Sequence, residues 1–121
     1  MTKGFPLEEL KVYQVAMEIG QLVWDIVIKW DYFSKKTIGS QLAEAADSIA
    51  FNIAEGHGRF HYKDNKNFCY YSRGSAKEAV TGIRKAKERN LISESEFDLI
   101  NQKFNSYFYL LSRYIDSIGK S

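Results

Sequence analysis

Between Leu10 and Trp30 the apolar residues return every three or four positions, on two neighbouring stripes. Leu10, Tyr13, Met17, Gly20, Trp24 and Val27 form the first; Val12, Ala16, Ile19, Val23, Ile26 and Trp30 form the second. This spacing follows the helical step of about 100° per residue and predicts a helix over about residues 7–30. Pro6 suits its first turn, where a missing N–H goes unneeded. Lys11, Gln14, Glu18, Gln21, Asp25 and Lys29 hold the remaining face. An apolar arc this wide needs cover from more than one neighbour, as a helix in a bundle receives.

Three more helices follow from the same reasoning. Asp31 to Gly39 reads as a connection, after which Leu42, Ala45, Ile49 and Ile53 mark the inward face of a helix over about 40–55. Ala43, Ala46, Ala50 and Ala54 keep that helix slim, so a neighbour can approach closely. Gly56 and Gly58 are expected to end it in the left-handed conformation open to glycine. A third helix, about 63–90, packs through Phe68, Ser72, Ser75, Ala79, Ile83 and Ala86. A fourth, about 94–118, opens with Ser93-Glu-Ser-Glu96, a capping box that satisfies free backbone N–H groups. Phe97, Ile100, Phe104, Tyr107, Leu111, Tyr114 and Ile118 give it one continuous seam, and Gly119 closes it.

Strand-like alternation is absent, Pro6 is the only proline, and no linker or repeat divides the chain. The pattern therefore predicts an all-α protein: a single domain over residues 1–121, folded as an antiparallel up-down four-helix bundle. The alternative is an array of helical hairpins that needs other chains to complete its core. Helix 1 is apolar over much of its circumference, and Phe108, Leu110 and Ile115 lie outside the helix 4 seam. One protomer is not expected to cover all of this, which predicts a homo-oligomer.

Composition narrows the class. A chain of 121 residues can bury one real core but not two. No apolar run is long enough to span a bilayer, and MTKGFPLEEL lacks the basic-then-apolar pattern of an export signal. Cys69, the one cysteine, has no partner for an internal disulfide, which fits a cytoplasmic protein.

Charge changes the picture more. Residues 8–55 carry eight acids against four lysines, whereas residues 56–89 carry nine Lys and Arg against three acids. On the third helix, Lys66, Tyr70, Arg73, Lys77 and Arg84 share one stripe, with Lys63 beside it, roughly 150° from the packing face. The stripe extends about 27 Å at 1.5 Å per residue. Arg59, His57 and His61 stand at its head, where the free N–H groups of a helix start favour anions, so Arg59, Lys63 and Lys66 could hold one phosphate. The functional reading is a track for a phosphate backbone, with tyrosines to stack on unpaired bases, RNA before DNA. The competing reading is a solvated helix face that happens to be basic.

Other constellations carry less. Gly56-His-Gly58-Arg59 lacks the preceding strand and third glycine of a phosphate loop. His57 and His61 have metal-ligand spacing, but glycines interrupt the turn and no third ligand is evident. Asn52, Glu55, Ser75 and Glu78 are expected to form a polar network between the second and third helices, because buried polar groups must find partners. The absence of Glu-x-x-His repeats argues against a di-metal bundle. Cys69 reads as a small core residue. No catalytic residue, cofactor or metal site follows from the sequence, and the chain reads as non-enzymatic.

One stretch is more specific. Ser40-Gln-Leu, Ala45-Ala46, Ser48-Ile49 and Asn52-Ile-Ala-Glu-Gly56-x-Gly-Arg59 resemble the signature of the 23S rRNA intervening-sequence protein family. Arg73-Gly-Ser75 with Glu78 is similar to its second motif, and Phe5 with Leu10-Lys-Val-Tyr-x-x-Ala16 to its first helix. The resemblance implies a four-helix protomer in a ring-like homopentamer. It also implies kinship with accessory proteins of diversity-generating retroelements, in which a basic bundle surface engages nucleic acid and a reverse transcriptase. An oligomeric scaffold that binds such a protein partner is therefore the second functional reading. The chain departs from the family pattern at Ala50-Phe51, where a proline is common, and at Ala76 and Ala79, where leucines are usual.

Overall fold

The structure, a computed structural model, describes residues 5–120. Its four main helices are α1 (Lys11–Val27), α2 (Ser40–His57), α3 (Tyr62–Glu88) and α4 (Glu94–Ser117). Strands are absent among the described residues, as the periodicity requires.

The first helix is shorter than its apolar pattern. Pro6 is extended (φ −62°, ψ 141°) and leads into one 3-10 turn, Leu7–Glu9. Leu10 is extended again and buried, so it interrupts the helix to reach the core. The Gln14 side chain donates to the Glu8 carbonyl at 2.8 Å and ties the turn to α1. At the other end Ile28–Trp30 tighten, with Trp30 N–H donating to the Val27 carbonyl at 3.0 Å, and Trp30 swings inward.

The expected connection over 31–39 is helical. Asp31 caps a short turn, Tyr32–Ser34, by accepting from the Ser34 N–H at 2.7 Å and the Ser34 hydroxyl at 3.1 Å. A π-helical turn, Lys35–Gly39, then runs directly into α2. Gly39 lies so close to α1 that a Cβ there would stand 2.8 Å from Val27 Cγ1.

Gly56 and Gly58 also depart from expectation. Gly58 is right-handed (φ −80°), and the positive-φ residues described are Asn90 (61°) and Gly119 (83°). Gly56 is needed for proximity instead, since a Cβ would lie 2.7 Å from Asn65 Oδ1 and 2.8 Å from Phe68 Cβ. Asn90 ends α3 in a Schellman motif: its N–H donates to Lys87 and that of Leu91 to Ala86. The predicted capping box of α4 forms, with Glu96 N–H donating to Ser93 Oγ at 3.1 Å and Ser93 N–H to Glu96 Oε1 at 2.9 Å.

Facing positions run in opposite directions along each neighbouring pair. Gly20 meets Asp47 and Val27 meets Gly39 across α1–α2. Ile49 pairs with Ser72 and Gln41 with Glu78 across α2–α3. Across α3–α4 the pairs are Asn65 with Tyr114 and Ser72 with Tyr107; Lys29–Glu96 and Glu18–Lys103 close the ring between α1 and α4. The bundle is therefore up-down and antiparallel. The second stripe of α1 is buried along its length, as are Leu42, Ala45, Ile49 and Ile53 of α2 and Ile100 to Tyr114 of the α4 seam. Ala76 and Ala79 are fully buried. Of the predicted α3 face, Ser72, Ala79, Ile83 and Ala86 are buried, while Phe68 and Ser75 are half-buried and Asn65, Cys69 and Ala76 take their place.

Candidate nucleic-acid interface

Burial of one edge of α3 forces the basic positions onto the other. Lys63, Tyr70, Arg73, Lys77 and Arg84 are exposed and Lys66 is half-buried. The stripe does not stand straight out but follows the α3–α4 edge. Lys77 Nζ sits 4.5 Å from the centre of the Phe108 ring on α4, and Lys66 faces the chain just beyond α4 at Ile118–Lys120. Arg73 lies over the Tyr70 ring at 5.1 Å.

Arg59 is held apart from this series. Its guanidinium makes an ion pair with Glu55 at 3.0 Å and covers the Phe68 ring at 4.7 Å. Lys29, Lys87 and Lys103 are paired likewise, with Glu96, Glu94 and Glu18. Among the described residues, Lys63, Lys66, Arg73, Lys77 and Arg84 have no such ion pair. Five cations along one helix, none ion-paired among the described residues and outnumbering the acids Asp64, Glu78 and Glu88 of that helix, raise the local potential more than the protein's net charge of +2 suggests. His57 is engaged elsewhere, its Nε2 being 2.8 Å from the Phe5 carbonyl oxygen.

The expected network of Asn52, Glu55, Ser75 and Glu78 does not assemble. Asn52 donates to the Ser48 carbonyl of its own helix at 2.9 Å, Glu55 holds Arg59, and Glu78 accepts from Gln41 at 3.5 Å. The α2–α3 register is the reason: Gly56 is level with Asn65, which leaves Glu55 and Glu78 about 18 Å apart along the axis at 1.5 Å per residue.

The buried polar groups lie one layer deeper. Ser72 donates to the Ile49 carbonyl at 2.8 Å and touches the Tyr107 hydroxyl at 2.6 Å, while Asn65 donates to Tyr114 at 3.3 Å. Burial raises the pKa of both tyrosines, and Ser72 and Asn65 pull them partly back. Burial also pushes the Cys69 thiol up to about 12. These residues stiffen the base on which the basic stripe stands. Ser72 was legible as a packing residue, but its hydroxyl partners were not.

Sequence reasoning missed one feature and anticipated another only in part, expecting uncovered apolar surface on helix 1 but not the contribution of Phe51. Lys120, Tyr62 and Asn67 join Lys63, Lys66 and Tyr70 around a cleft of about 590 Å3. On the far side of the bundle Met17 and Trp24 of α1, Ile28 just after it and Phe51 of α2 are each half or more exposed. They flank a groove of about 410 Å3 lined by Val27, Ala43, Glu44 and Asp47, and one of about 290 Å3 beside Gly20 and Ala50. Loss of water raises the Asp47 carboxyl there. Phe51 points outward and is the most exposed of the four.

The profile of the family described as 23S rRNA-intervening sequence protein matches residues 8–113. The crystal structure of a protein of unknown function from the S23 ribosomal protein family of Bacteroides thetaiotaomicron superposes with a TM-score of 0.77. That match covers 86% of this chain and 97% of the other at 17% identity, so it speaks for the fold. No curated protein matches the chain.

Proposed function

The chain belongs to the 23S rRNA-intervening sequence protein family, and from that premise we propose that it is a nucleic-acid-binding bundle, RNA before DNA. The observation that carries this reading is the row Lys63, Lys66, Arg73, Lys77 and Arg84, five cations without ion pairs along one helix, beside Tyr70. Each can neutralise a phosphate, and an exposed tyrosine can stack on an unpaired base. Arg59 contributes less, because Glu55 already offsets its charge.

Its action is binding rather than catalysis. The Cys69 thiol is buried and raised to about 12, and the Ser72 hydroxyl is committed to Ile49 and Tyr107, so neither is an available nucleophile. Among the described residues no helix is long and apolar enough to cross a membrane. The proposed setting, the cytoplasm, rests on the rRNA-associated family. The direct test is fluorescence anisotropy with single-stranded RNA at low salt. The wild type binds, and the variant carrying Lys66→Gln, Arg73→Gln, Lys77→Gln and Arg84→Gln does not; equal binding by both removes the stripe from the function.

The exposed row Met17, Trp24, Ile28 and Phe51 supports a homo-oligomer, a ring-like pentamer on the family resemblance. Trp24→Glu then yields monomers in light scattering, and a wild type that is already monomeric at micromolar concentration contradicts the assembly. The same row supports the second reading, an accessory protein that docks a protein such as a reverse transcriptase.

A further inference from the structure

At the end of the bundle where α3 begins and α4 has just ended, two segments distant in sequence converge on one cleft. Lys63 and Lys66 come from α3, Lys120 from the chain beyond α4, and among the described residues no carboxylate side chain lines the space between them. It is a shallow, open hollow of about 590 Å3, a shape that suits a strand lying across it. The walls are aromatic as well as cationic, since Tyr62 and Tyr70 line the same space with the Asn67 amide. Gly119 makes the convergence possible. Its left-handed φ of 83° turns the chain back against the Tyr62 ring, and a Cβ there would stand 3.1 Å from that ring. Arg73, 5.1 Å over the Tyr70 ring, holds that side chain against the helix.

A mere run of solvated lysines does not need two aromatic rings and an amide beside it, nor a third lysine brought in by a second segment. A nucleotide uses each of them: a phosphate beside ammonium groups, a flat base against a ring, and donors and acceptors on the base edge for an amide. We propose that this cleft takes one unpaired nucleotide of a nucleic-acid strand. Lys63, Lys66 and Lys120 neutralise its own phosphate and the two that flank it, one each, Tyr70 stacks on its base, and Asn67 meets the base edge. The inference rests on the nucleic-acid reading above and deepens it, because Arg73, Lys77 and Arg84 lead away from the cleft along the path the strand then follows. A duplex, with its base faces already stacked, can use the lysines but not the tyrosine. The cleft therefore gives preference for single strands, which a charged stripe alone does not.

The test uses the full chain with a short fluorescein-labelled oligouridylate, the duplex that it forms with oligoadenylate, and free uridine monophosphate. Tyr70 is 44% exposed, so Tyr70→Leu should fold, which the melting temperature checks. The proposal expects Tyr70→Leu to weaken single-strand binding about 5- to 150-fold, the range of one lost base stack, and to leave duplex binding unchanged. Lys120→Gln should lower the log–log salt slope by about 0.7, one phosphate on a single strand. If Arg84→Gln, outside the cleft, weakens binding while Tyr70→Leu and Lys120→Gln do not, the cleft fails and the stripe stands. If only the cleft variants weaken binding, the cleft stands and the stripe fails. A wild type that binds neither strand form overturns both. Competition by free uridine monophosphate as effective as by the oligonucleotide overturns the strand in favour of a mononucleotide site.

Discussion

The hydroxyl of Ser72 on α3 lies 2.6 Å from the hydroxyl of Tyr107 on α4, in the closed centre of the bundle. Ser72 has one proton and donates it to the Ile49 carbonyl at 2.8 Å, so Tyr107 must be the donor in the pair. One hydroxyl thus joins three helices. Ser72→Ala leaves the Tyr107 hydroxyl buried without a partner and should cost about 1–3 kcal/mol in urea unfolding. Tyr107→Phe removes both the donor and its need, and should cost about 1 kcal/mol. The double variant should be less destabilised than the sum of the two; strict additivity would mean the hydroxyls do not act as a pair.

Two glycines on neighbouring helices predict opposite outcomes for the same substitution. A methyl group at Gly56 would press on Asn65 Oδ1 and Phe68 Cβ at 2.7 and 2.8 Å, so Gly56→Ala should loosen the α2–α3 crossing and lower the melting temperature. At Gly74 nothing lies within 4 Å of the added atom. That site is a mid-helix exposed position, and Gly74→Ala should stabilise by about 0.5–1 kcal/mol. A Gly56→Ala protein as stable as wild type would contradict the close crossing.

Stability should also fall in acid, for a local reason. Glu96 is held below its ordinary pKa first by the Ser93 N–H, then by Lys29, and Asp31 is held down by the Ser34 N–H and hydroxyl. A carboxylate lowered on folding contributes stability that is present above its unfolded pKa, near 4, and disappears as pH falls through its folded value. The melting temperature should therefore drop below about pH 4. Glu96→Gln and Asp31→Asn, which keep much of the cap geometry, should flatten that acid limb; an unchanged limb would place the acid sensitivity elsewhere.

The helices were legible because each buries a stripe at helical spacing, and the α4 cap because its hydrogen bonds are local. What escaped was set by relations between helices. Glu55 and Glu78 share a plausible face in the sequence, yet the short turn between α2 and α3 fixes a register that separates them. Asp31-x-x-Ser34 carried the signal of a helix start, and the two lysines, threonine and glycine after it hid the helix that follows. Lys120 joins Lys63 and Lys66 only through the antiparallel packing of α3 and α4, which no linear spacing displays. The stripe itself was read correctly as exposed, but its lean over Phe108 depends on α4.

The central claim is that the unpaired cations of α3 neutralise phosphates, and the salt dependence of RNA binding tests it most directly. Each neutralised phosphate on a single strand contributes about 0.7 to the log–log slope of affinity against salt. Lys66→Gln, Arg73→Gln, Lys77→Gln and Arg84→Gln should each remove about that much and weaken binding similarly across sequences. Lys29→Gln, at a cation already paired with Glu96, should leave the slope unchanged. A wild-type slope near zero, or a quadruple variant whose slope equals that of wild type, would contradict the account.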